Sequence, residues 1–365
     1  MFRPTGFADL AHKRVGIFGY GVEGRATHRR LRDVTTDIVI VDDAPSVAEG
    51  ALVTSSGGLE ALFTCDVVLK SPGIPRRRSD VQLIEDRGVI VTSSLNLWLH
   101  DVDRHRVVTV TGTKGKSTTS ALITFFLHSL GEAALFVGNI GSPPYDPDVD
   151  TSSGWLVLEV SSFQCVDIDV APRIVIVTSL GSDHLDWHGS LPEYVNDKLS
   201  LTRTPNEHVT LVPDNQSLRD VGDQLGGDVT FVEPDTTNLA TALNLMGTHS
   251  NSNVALALHA TSLLTGCSLE EVRHRVLDCA ASFTPLRGRL TLVVREVVNG
   301  KLFRYVDDGL ATAVLPAIAA LEVFDDDDLA MIVGGMDRGV DYAPLANALA
   351  SRRARTVLAT MGPAG

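Results

Sequence analysis

The chain has 365 residues, more than a single hydrophobic core usually organises, so we expect two or three domains. Its 44% hydrophobic content and low aromatic share are typical of a globular α/β protein and exclude a disordered chain. A net charge of −14 argues against a general nucleic-acid binder, because phosphate backbones require clustered Lys and Arg. It does not exclude one basic pocket for a small anionic ligand.

Cysteine usage and hydropathy indicate a reducing, aqueous compartment. The four cysteines lie far apart without metal-binding spacing and are interpreted as free thiols: Cys65, Cys165, Cys267 and Cys279. No long apolar stretch precedes the first charges, and no segment reaches the roughly 18 apolar residues of a membrane helix. We therefore expect a cytoplasmic, monomeric protein that contacts neither membrane nor nucleic acid.

The first block of the chain alternates short apolar strands with helical patterns. Strands are predicted at 15–19, 37–42 and 66–70, with a helix at 21–32 and another beginning near Asn96. This rhythm predicts a parallel sheet with binding at the carboxyl ends of its strands. The run Gly19-Tyr20-Gly21-Val22-Glu23-Gly24 is a weak match to dinucleotide-binding loops, and a dinucleotide remains an alternative here.

A second and a third block follow the charged connection at 100–105. The second block has apolar strands at 106–111, 155–160 and 173–179, a helix at 117–130 and one long helical region at 238–266. In the third block, strands at 290–297 and 301–306 are joined by the hairpin signal Asn299-Gly300. A helix at 313–321, a strand at 329–334, a helix at 342–350 and a strand at 356–360 complete the prediction. A sheet domain should continue beyond that last strand, so we expect the third domain to be incomplete.

A glycine- and lysine-rich loop between a strand and a helix is the strongest motif. It reads Thr111-Gly112-Thr113-Lys114-Gly115-Lys116-Ser117-Thr118-Thr119, with Val110 where the usual pattern has another glycine. Glycines let backbone N–H groups approach phosphate oxygens, and the helix N-terminus adds partial positive charge. In such loops the lysine reaches the β- and γ-phosphates and the serine hydroxyl ligates Mg²⁺. A glycine-rich turn with a capping serine is the structural alternative. The residues predicted to bind ATP are Gly112, Thr113, Lys114, Gly115, Lys116, Ser117 and Thr118.

Three side chains beyond this loop are candidates for holding metal and phosphate. Glu159 ends an apolar strand, where a buried carboxylate needs a cation partner, although a salt bridge would also serve. His184 follows the strand at 173–179, and an isolated histidine is more often structural. Lys198 lies on a helix that begins near Leu191 and by itself would be a surface lysine. Because phosphoryl transfer needs metal ligands opposite the loop, the three together favour a catalytic site.

Together with further motifs, these residues resemble the Mur ligases, and specifically those that add glutamate to UDP-N-acetylmuramoyl-alanine. The matching segments besides the loop are Gly138-Asn139-Ile140-Gly141, Leu158-Glu159-Val160-Ser161-Ser162-Phe163-Gln164, Asp183-His184-Leu185-Asp186 and Gly334-Gly335-Met336-Asp337-Arg338-Gly339. The Glu-x-Ser-Ser-Phe-Gln segment is similar to the glutamate-adding branch in particular. The resemblance implies an α/β fold of three domains. These are a Rossmann-like UDP- and acceptor-binding domain at 1–104, a central P-loop ATPase-like parallel-sheet domain at 105–288, and a Rossmann-like glutamate-binding domain at 289–365.

The resemblance also implies roles for individual residues. The implied catalytic residues are Lys116, Glu159, His184 and Lys198. Two Mg²⁺ ions would be held by Ser117, Glu159, His184 and Lys198, the last carbamylated by CO₂. That carbamylation needs a desolvated lysine of low pKa. ATP recognition would extend to Asn253, Arg289 and Asp308. The acceptor and the glutamate would contact Gly19, Gly21, Asp42, Ser71, Gly73, Asn139, Ser161, Gln164, Thr312 and Arg338.

The activity implied by the resemblance is ATP-dependent amide-bond formation in peptidoglycan precursor synthesis, and hence in cell-wall biogenesis, cell shape and division. UDP-N-acetylmuramoyl-L-alanine would be activated as an acyl phosphate before the amine of glutamate displaces phosphate. D-glutamate is the usual donor. L-glutamate is the alternative, because the segments 92–98 and 307–310 look closer to the L-adding branch.

Some positions depart from the family pattern. Leu310 and Gly288 stand where family members often carry a lysine and a histidine. Two other interpretations therefore stay open. One is a catalytically inactive, nucleotide-binding regulatory protein. The other is a folate-type polyglutamate ligase, which should lack Ser161-Ser162-Phe163-Gln164.

Overall fold

The computed structural model describes residues 3–44, 50–140, 142–311, 314–335 and 341–362. Six residues of the predicted motifs and sites lie outside the described residues: Gly141, Thr312, Met336, Asp337, Arg338 and Gly339. By compactness the chain divides into two units, Met1–Glu233 with Leu256–Val272, and Pro234–Ala255 with Arg273–Gly365. No helix in the described part of the chain is long and apolar enough to cross a bilayer.

A five-stranded parallel sheet opens the first unit. Its strands are β1 (Val15–Phe18), β2 (Ile38–Asp42), β3 (Leu52–Val53), β4 (Val67–Lys70) and β5 (Ile90–Thr92). Its helices are α1 (Val22–Leu31), α2 (Leu59–Leu62), α3 (Ser79–Asp86) and α4 (Ser94–Asp101). The spatial order is β3-β2-β1-β4-β5, and every residue of β1 and β4 is buried, as expected for a sheet covered on both faces. The order reverses beside β1, which is where doubly wound sheets bind their ligands.

A six-stranded parallel sheet follows in the same unit. Its strands are β6 (Val107–Thr111), β7 (Ala134–Gly138), β8 (Trp155–Glu159), β9 (Ile174–Val177), β10 (Val209–Pro213) and β11 (Asp228–Val232). Its helices are α5 (Lys116–Ser129), α6 (Ser162–Cys165), α7 (Leu185–His188), α8 (Leu191–Leu199) and α9 (Gln216–Arg219). In the order β11-β10-β9-β6-β8-β7, strand β6 lies between β9 and β8. The register pairs Val110 with Glu159 and Thr111 with Val177, so the glycine-rich loop and Glu159 emerge at the same edge.

Polar contacts join the regions built on these two sheets. Lys70, at the end of β4, forms a fully buried ion pair with Asp167, with 2.7 Å between Nζ and Oδ2. Glu23 accepts hydrogen bonds from Tyr145 and Gln164, each at 2.8 Å. Arg29 pairs with Asp146, and Arg77 with Asp197. The predicted boundary at 104/105 falls between α4 and β6, and charged or polar side chains from both sides of it meet in the folded unit.

The region predicted as helical over 238–266 contains two helices with a break between them. The structure has α10 (Leu239–Ala242) and α11 (His249–Thr265), followed by α12 (Leu269–Cys279). Asn244 and Gly247 adopt left-handed backbone conformations, with φ of 55° and 84°, which end one helix before the next begins.

The second unit contains two separate pairs of strands. The hairpin predicted at Asn299-Gly300 is confirmed: β12 (Thr291–Val298) pairs antiparallel with β13 (Lys301–Asp307). Both turn residues have positive φ, 51° and 75°, as a two-residue hairpin turn of this kind requires. After α13 (Val314–Val323), β14 (Leu329–Gly334) pairs in parallel with β15 (Thr356–Met361), and α14 (Ala343–Ser351) connects them.

Candidate active site

The glycine-rich loop lies between β6 and α5, at the centre of the six-stranded sheet. Gly112 has φ of 137° and Gly115 has φ of 89°, conformations that favour glycine. The Lys116 ammonium turns back to the loop's own carbonyl oxygens, at 2.9 Å from Gly112 and 3.3 Å from Thr113. Ser117 is buried in the first turn of α5. The loop thus has the backbone shape, lysine and hydroxyl of a phosphate-binding site.

Lys198 lies beneath this loop and is almost completely buried. Its Nζ donates to the Gly112 carbonyl at 2.9 Å, the same oxygen that Lys116 contacts. Burial, and then the neighbouring charge of Lys116, lower the pKa of Lys198 to about 7. A large fraction of this amine is therefore neutral near neutral pH, which an ordinary lysine is not.

Glu159 ends β8 and is 1% exposed. Its Oε1 accepts from the Asn139 side chain at 2.9 Å, whereas its Oε2 is buried and has no hydrogen-bond partner among the residues that the structure describes. A buried carboxylate oxygen in that condition is costly unless a cation or another donor reaches it. The two residues predicted on separate motifs, Asn139 and Glu159, are thus in direct contact.

His184 lies in a loop after β9 and has a left-handed backbone, with φ of 50°. Its ring packs edge-on against Phe163, with 4.9 Å between the centroids, and Phe163 also contacts Trp187. The Trp187 indole N–H approaches the Gly73 carbonyl at 3.4 Å. This aromatic cluster connects His184 with the loop after β4, which was predicted to contact the acceptor.

The predicted acceptor-side residues gather at the carboxyl ends of β1, β2 and β4. The Ser71 hydroxyl donates to the Gly19 carbonyl at 2.6 Å. Asp42 accepts from the backbone of Tyr20 at 2.6 Å, so it shapes the loop that contains Gly21, the residue preceding α1. These residues form one edge of the first sheet, as predicted, and their contact with the acceptor stays a prediction.

Ser161 and Gln164 make a reciprocal cap on α6. The Ser161 hydroxyl accepts from the Gln164 backbone, and the Gln164 side-chain oxygen accepts from the Ser161 backbone at 2.9 Å. The Gln164 amide also donates to Glu23 at 2.8 Å. Burial raises the pKa of Glu23, although the hydrogen bonds from Tyr145 and Gln164 oppose that effect. Both polar ends of Gln164 are used within the protein, and its predicted role with substrate stays untested.

The remaining predicted ATP contacts belong to the second compact unit. Asn253 is buried on α11. The Asp308 carboxylate accepts from the Leu290 backbone at 3.0 Å, and Arg289 donates to the Leu310 carbonyl at 3.3 Å. The last two therefore stabilise the segments around the β12–β13 pair, and their contact with nucleotide stays a prediction.

Some residues around the site were not predicted. Tyr194 donates or accepts a 2.7 Å hydrogen bond with the Thr113 hydroxyl, and its ring lies 4.9 Å from the Lys198 ammonium. Tyr194 is four residues before Lys198 on the same helix, a spacing that could have revealed it. Lys114 contacts Asp183 at 3.4 Å, the residue beside His184.

One of the predicted Mg²⁺ ligands, Glu159, has an oxygen atom suited to a metal ion. The Oε2 atom of Glu159 is an oxygen of the kind Mg²⁺ prefers, and it is buried with no hydrogen bond from the described part of the chain. Among the described residues, no three His, Cys, Asp or Glu side chains converge as a metal site. The predicted set relies instead on Ser117 and on Lys198, which becomes an oxygen ligand only after carbamylation.

The strand, glycine-rich loop and helix at the centre of a parallel sheet define a P-loop nucleotide-binding domain. Residues 110–224, which contain this loop, match the family model of the Mur ligase middle domain. A UDP-N-acetylmuramoyl-L-alanine–L-glutamate ligase of Micromonospora sp. is 36% identical, over 94% of this chain and 81% of its own length. A UDP-N-acetylmuramoylalanine–D-glutamate ligase of Symbiobacterium thermophilum is 29% identical, over 96% and 83%.

A solved structure shares the fold. The UDP-N-acetylmuramate–alanine ligase MurC of Thermotoga maritima superposes with a TM-score of 0.53 at 18% identity, over 96% of this chain and 91% of that one. The chain belongs to the Mur ligase family, and it is an ATP-dependent ligase that forms amide bonds. The predicted family, fold class and enzyme class are confirmed.

Replacing Gly112 by alanine is expected to weaken ADP binding at least about tenfold, which corresponds to about 1.4 kcal/mol. A Cβ atom at Gly112 would lie 2.1 Å from the Thr178 hydroxyl, and the φ of 137° is strained for any other residue. Calorimetric titration with ADP measures the effect. Gly222→Ala is the control, since its Cβ would meet only Phe231 at 3.8 Å. Equal ADP affinity in the two variants would show that the loop tolerates a side chain there.

Proposed function

We propose that this chain adds L-glutamate to the alanyl carboxylate of UDP-N-acetylmuramoyl-L-alanine in peptidoglycan precursor synthesis. The observation that carries the proposal is the grouping of Lys116 and Lys198 at the Gly112 carbonyl, with Glu159 on the adjacent strand. That grouping lies in a chain 36% identical to a ligase named for this reaction.

The choice of isomer rests on the relatives. The L-glutamate ligase of Micromonospora sp. is 36% identical to this chain, whereas the D-glutamate ligase of Symbiobacterium thermophilum is 29% identical. This order favours L-glutamate over the D-glutamate that the family's usual chemistry suggests. This chain also differs from the usual family pattern at Leu310, which follows β13 and stands where family members often carry lysine.

In the proposed reaction, an oxygen of the acceptor carboxylate attacks the γ-phosphorus of ATP, and ADP leaves as the acyl phosphate forms. The neutral amine of glutamate then attacks the acyl carbon, and the tetrahedral intermediate loses a proton from that nitrogen and expels inorganic phosphate to leave the amide. The loop N–H groups and Lys116 stabilise negative charge on the transferred phosphoryl group. Ser117, Glu159 and His184 would hold Mg²⁺, which supplies further charge neutralisation on the phosphates.

Lys198 is proposed to react with CO₂ and become a carbamate. Carbamate formation consumes the neutral amine, and burial holds the pKa of Lys198 at about 7. An ordinary lysine would be neutral in only about one part in a thousand near pH 7.4. The buried amine is therefore far better suited to the reaction than the lysines on the surface.

The carbamate is expected to depend on pH in the direction of that pKa. Above about pH 7 the amine is mostly neutral and the carbamate forms; below it the ammonium predominates and the carbamate is lost. With ¹³C-bicarbonate, the carbamate carbon signal in NMR should grow between pH 6 and 8. It should be missing from Lys198→Ala. A signal of equal intensity at pH 6 and 8, or one that persists in the variant, would contradict this assignment.

Phosphate release from ATP tests the proposed function as a whole. The enzyme is supplied with Mg²⁺ and UDP-N-acetylmuramoyl-L-alanine, and with L-glutamate, D-glutamate or no amino acid. Release that depends on L-glutamate, with the amide product identified by mass spectrometry, supports the proposal. Release that depends on D-glutamate alone would reverse the isomer assignment. Absence of release with either isomer, in protein that binds ADP, would overturn the proposed activity and favour a nucleotide-binding regulatory role.

A further inference from the structure

A chain of polar contacts connects the loop after β4 with the helix that carries Lys198. Arg77 follows the predicted acceptor residues Ser71 and Gly73, and its two terminal nitrogens donate to Asp197 at 2.7 and 2.6 Å. Asp197 is the residue before Lys198 on α8. The two residues of this bidentate pair are separated by 120 positions, and they belong to regions built on different sheets.

The contacts continue from Asp197 into the segment after Glu159. The Asp197 Oδ2 atom also lies 2.7 Å from His188 Nδ1, and His188 Nε2 lies 2.9 Å from the Ser162 hydroxyl. Both His188 and Asp197 are buried. Four segments that carry predicted catalytic or acceptor residues are thus held by one chain of hydrogen bonds, Arg77–Asp197–His188–Ser162.

Because Asp197 and Lys198 are adjacent on α8, a contact that restrains Asp197 also restrains Lys198. The Lys198 ammonium reaches the glycine-rich loop at the Gly112 carbonyl, 2.9 Å away. Tyr194, one turn earlier, reaches the same loop at the Thr113 hydroxyl. Asp197 instead contacts Arg77, in the loop after β4. A bidentate arginine contact restrains orientation as well as distance, which a single hydrogen bond does not.

We propose that Arg77 is a positioning residue. Through Asp197 it holds α8 so that Lys198 stays against the glycine-rich loop. The same contact keeps the loop after β4, here called the acceptor loop, aligned with α8. This inference rests on the proposed function for its kinetic consequence. Its structural consequence, the burial of Lys198, is independent of which substrate the enzyme uses. Without Arg77, His188 is the one side-chain partner of the Asp197 carboxylate among the described residues, and the ion pair between α8 and the loop after β4 is lost.

The first test measures how fast Lys198 reacts with acetic anhydride at pH 8, by mass spectrometry of the labelled peptide. Lys301, an exposed lysine of β13, serves as the internal reference for reagent delivery. Labelling of Lys198 is expected to be at least fivefold faster in Arg77→Ala than in the unsubstituted protein. Arg219→Ala is the matched control, because Arg219 makes a two-pronged pair with Asp214 within the second sheet's region alone. Equal Lys198 labelling in Arg77→Ala and Arg219→Ala would overturn the proposal.

The second test separates positioning from a general loss of folding. In Arg77→Ala, kcat for L-glutamate-dependent phosphate release should fall about 10²-fold, the cost of a misplacement near 1 Å. The KM for ATP and the stoichiometry of ADP binding should stay within threefold. Arg77→Lys, which keeps the charge but not the bidentate contact, should recover part of kcat. The double variant Arg77→Ala/Asp197→Asn should lose no more activity than its more damaging single change.

The outcomes distinguish this inference from the proposed function. Wild-type kcat in Arg77→Ala, or a double variant whose losses multiply, would overturn Arg77 as a positioning residue. If the unsubstituted protein released phosphate with neither isomer, the proposed function would fail, and the labelling of Lys198 would still decide whether Arg77 holds that lysine in place.

Discussion

Lys198→Ala is expected to abolish turnover, with a loss of at least about 10³-fold, while ADP binding is retained. The structure gives the physical reason. Lys198 is buried against the Gly112 carbonyl beside Lys116, and burial together with that neighbouring charge lowers its pKa to about 7. Alanine can form no carbamate, so high bicarbonate should not restore activity. Phosphate release with and without added bicarbonate measures both statements.

The control for Lys198→Ala is the loss of an exposed lysine that lies outside the candidate site. Lys301→Ala removes an exposed lysine from β13 and should leave turnover unchanged. Calorimetric titration of both variants with ADP separates a loss of chemistry from a loss of the nucleotide site. Near-normal activity of Lys198→Ala would remove the carbamate from the mechanism, whatever its effect on stability.

The glycine-rich loop and its neighbours were predictable because their chemistry is local in sequence. Glycines at 112 and 115 sit between a β-branched strand and a helix, and the structure has them there with positive φ. Glu159 was predictable because a carboxylate at the end of an apolar strand is unusual in itself. The break within the helical region predicted at 238–266 was not predicted, because only Asn244 and Gly247, two residues among many helix formers, adopt left-handed backbone conformations there.

The contacts between distant segments could not be predicted in the same way. Arg77 and Asp197 are 120 residues apart, and each by itself is an ordinary charged residue in a loop or on a helix.

Strands β10 and β11 were not predicted, because their own sequences have weak strand patterns. The first ends in Pro213, which usually argues against a central strand, and the second is a half-exposed edge strand. Tertiary packing decides such elements, and a single sequence contains little of it.

Glu159→Gln is the second prediction with a large effect, and it should change activity and stability in opposite directions. Mg²⁺-dependent ATP consumption should fall at least about 10³-fold, because an amide nitrogen replaces an oxygen that would ligate the ion. Acceptor binding, measured without metal, should be retained. In the same metal-free protein, the melting temperature should rise by roughly 2–4 °C. Glu159 is 1% exposed and none of the described residues donates a hydrogen bond to its Oε2, a condition that costs about 1–3 kcal/mol for a buried polar atom.

The opposite signs distinguish a functional carboxylate from a structural one. A glutamate that stabilised the end of β8 would make the glutamine variant less stable, since Asn139 would lose a charged acceptor at 2.9 Å. A buried glutamate whose role is to bind a metal ion destabilises the metal-free protein, so the glutamine variant should be at least as stable in the absence of metal. Glu132→Gln is the control, an exposed carboxylate that accepts from the Trp155 indole at 3.2 Å and should change neither quantity. Retention of a tenth of the Mg²⁺-dependent activity, or a lower melting temperature for Glu159→Gln, would assign Glu159 to the architecture of the sheet instead.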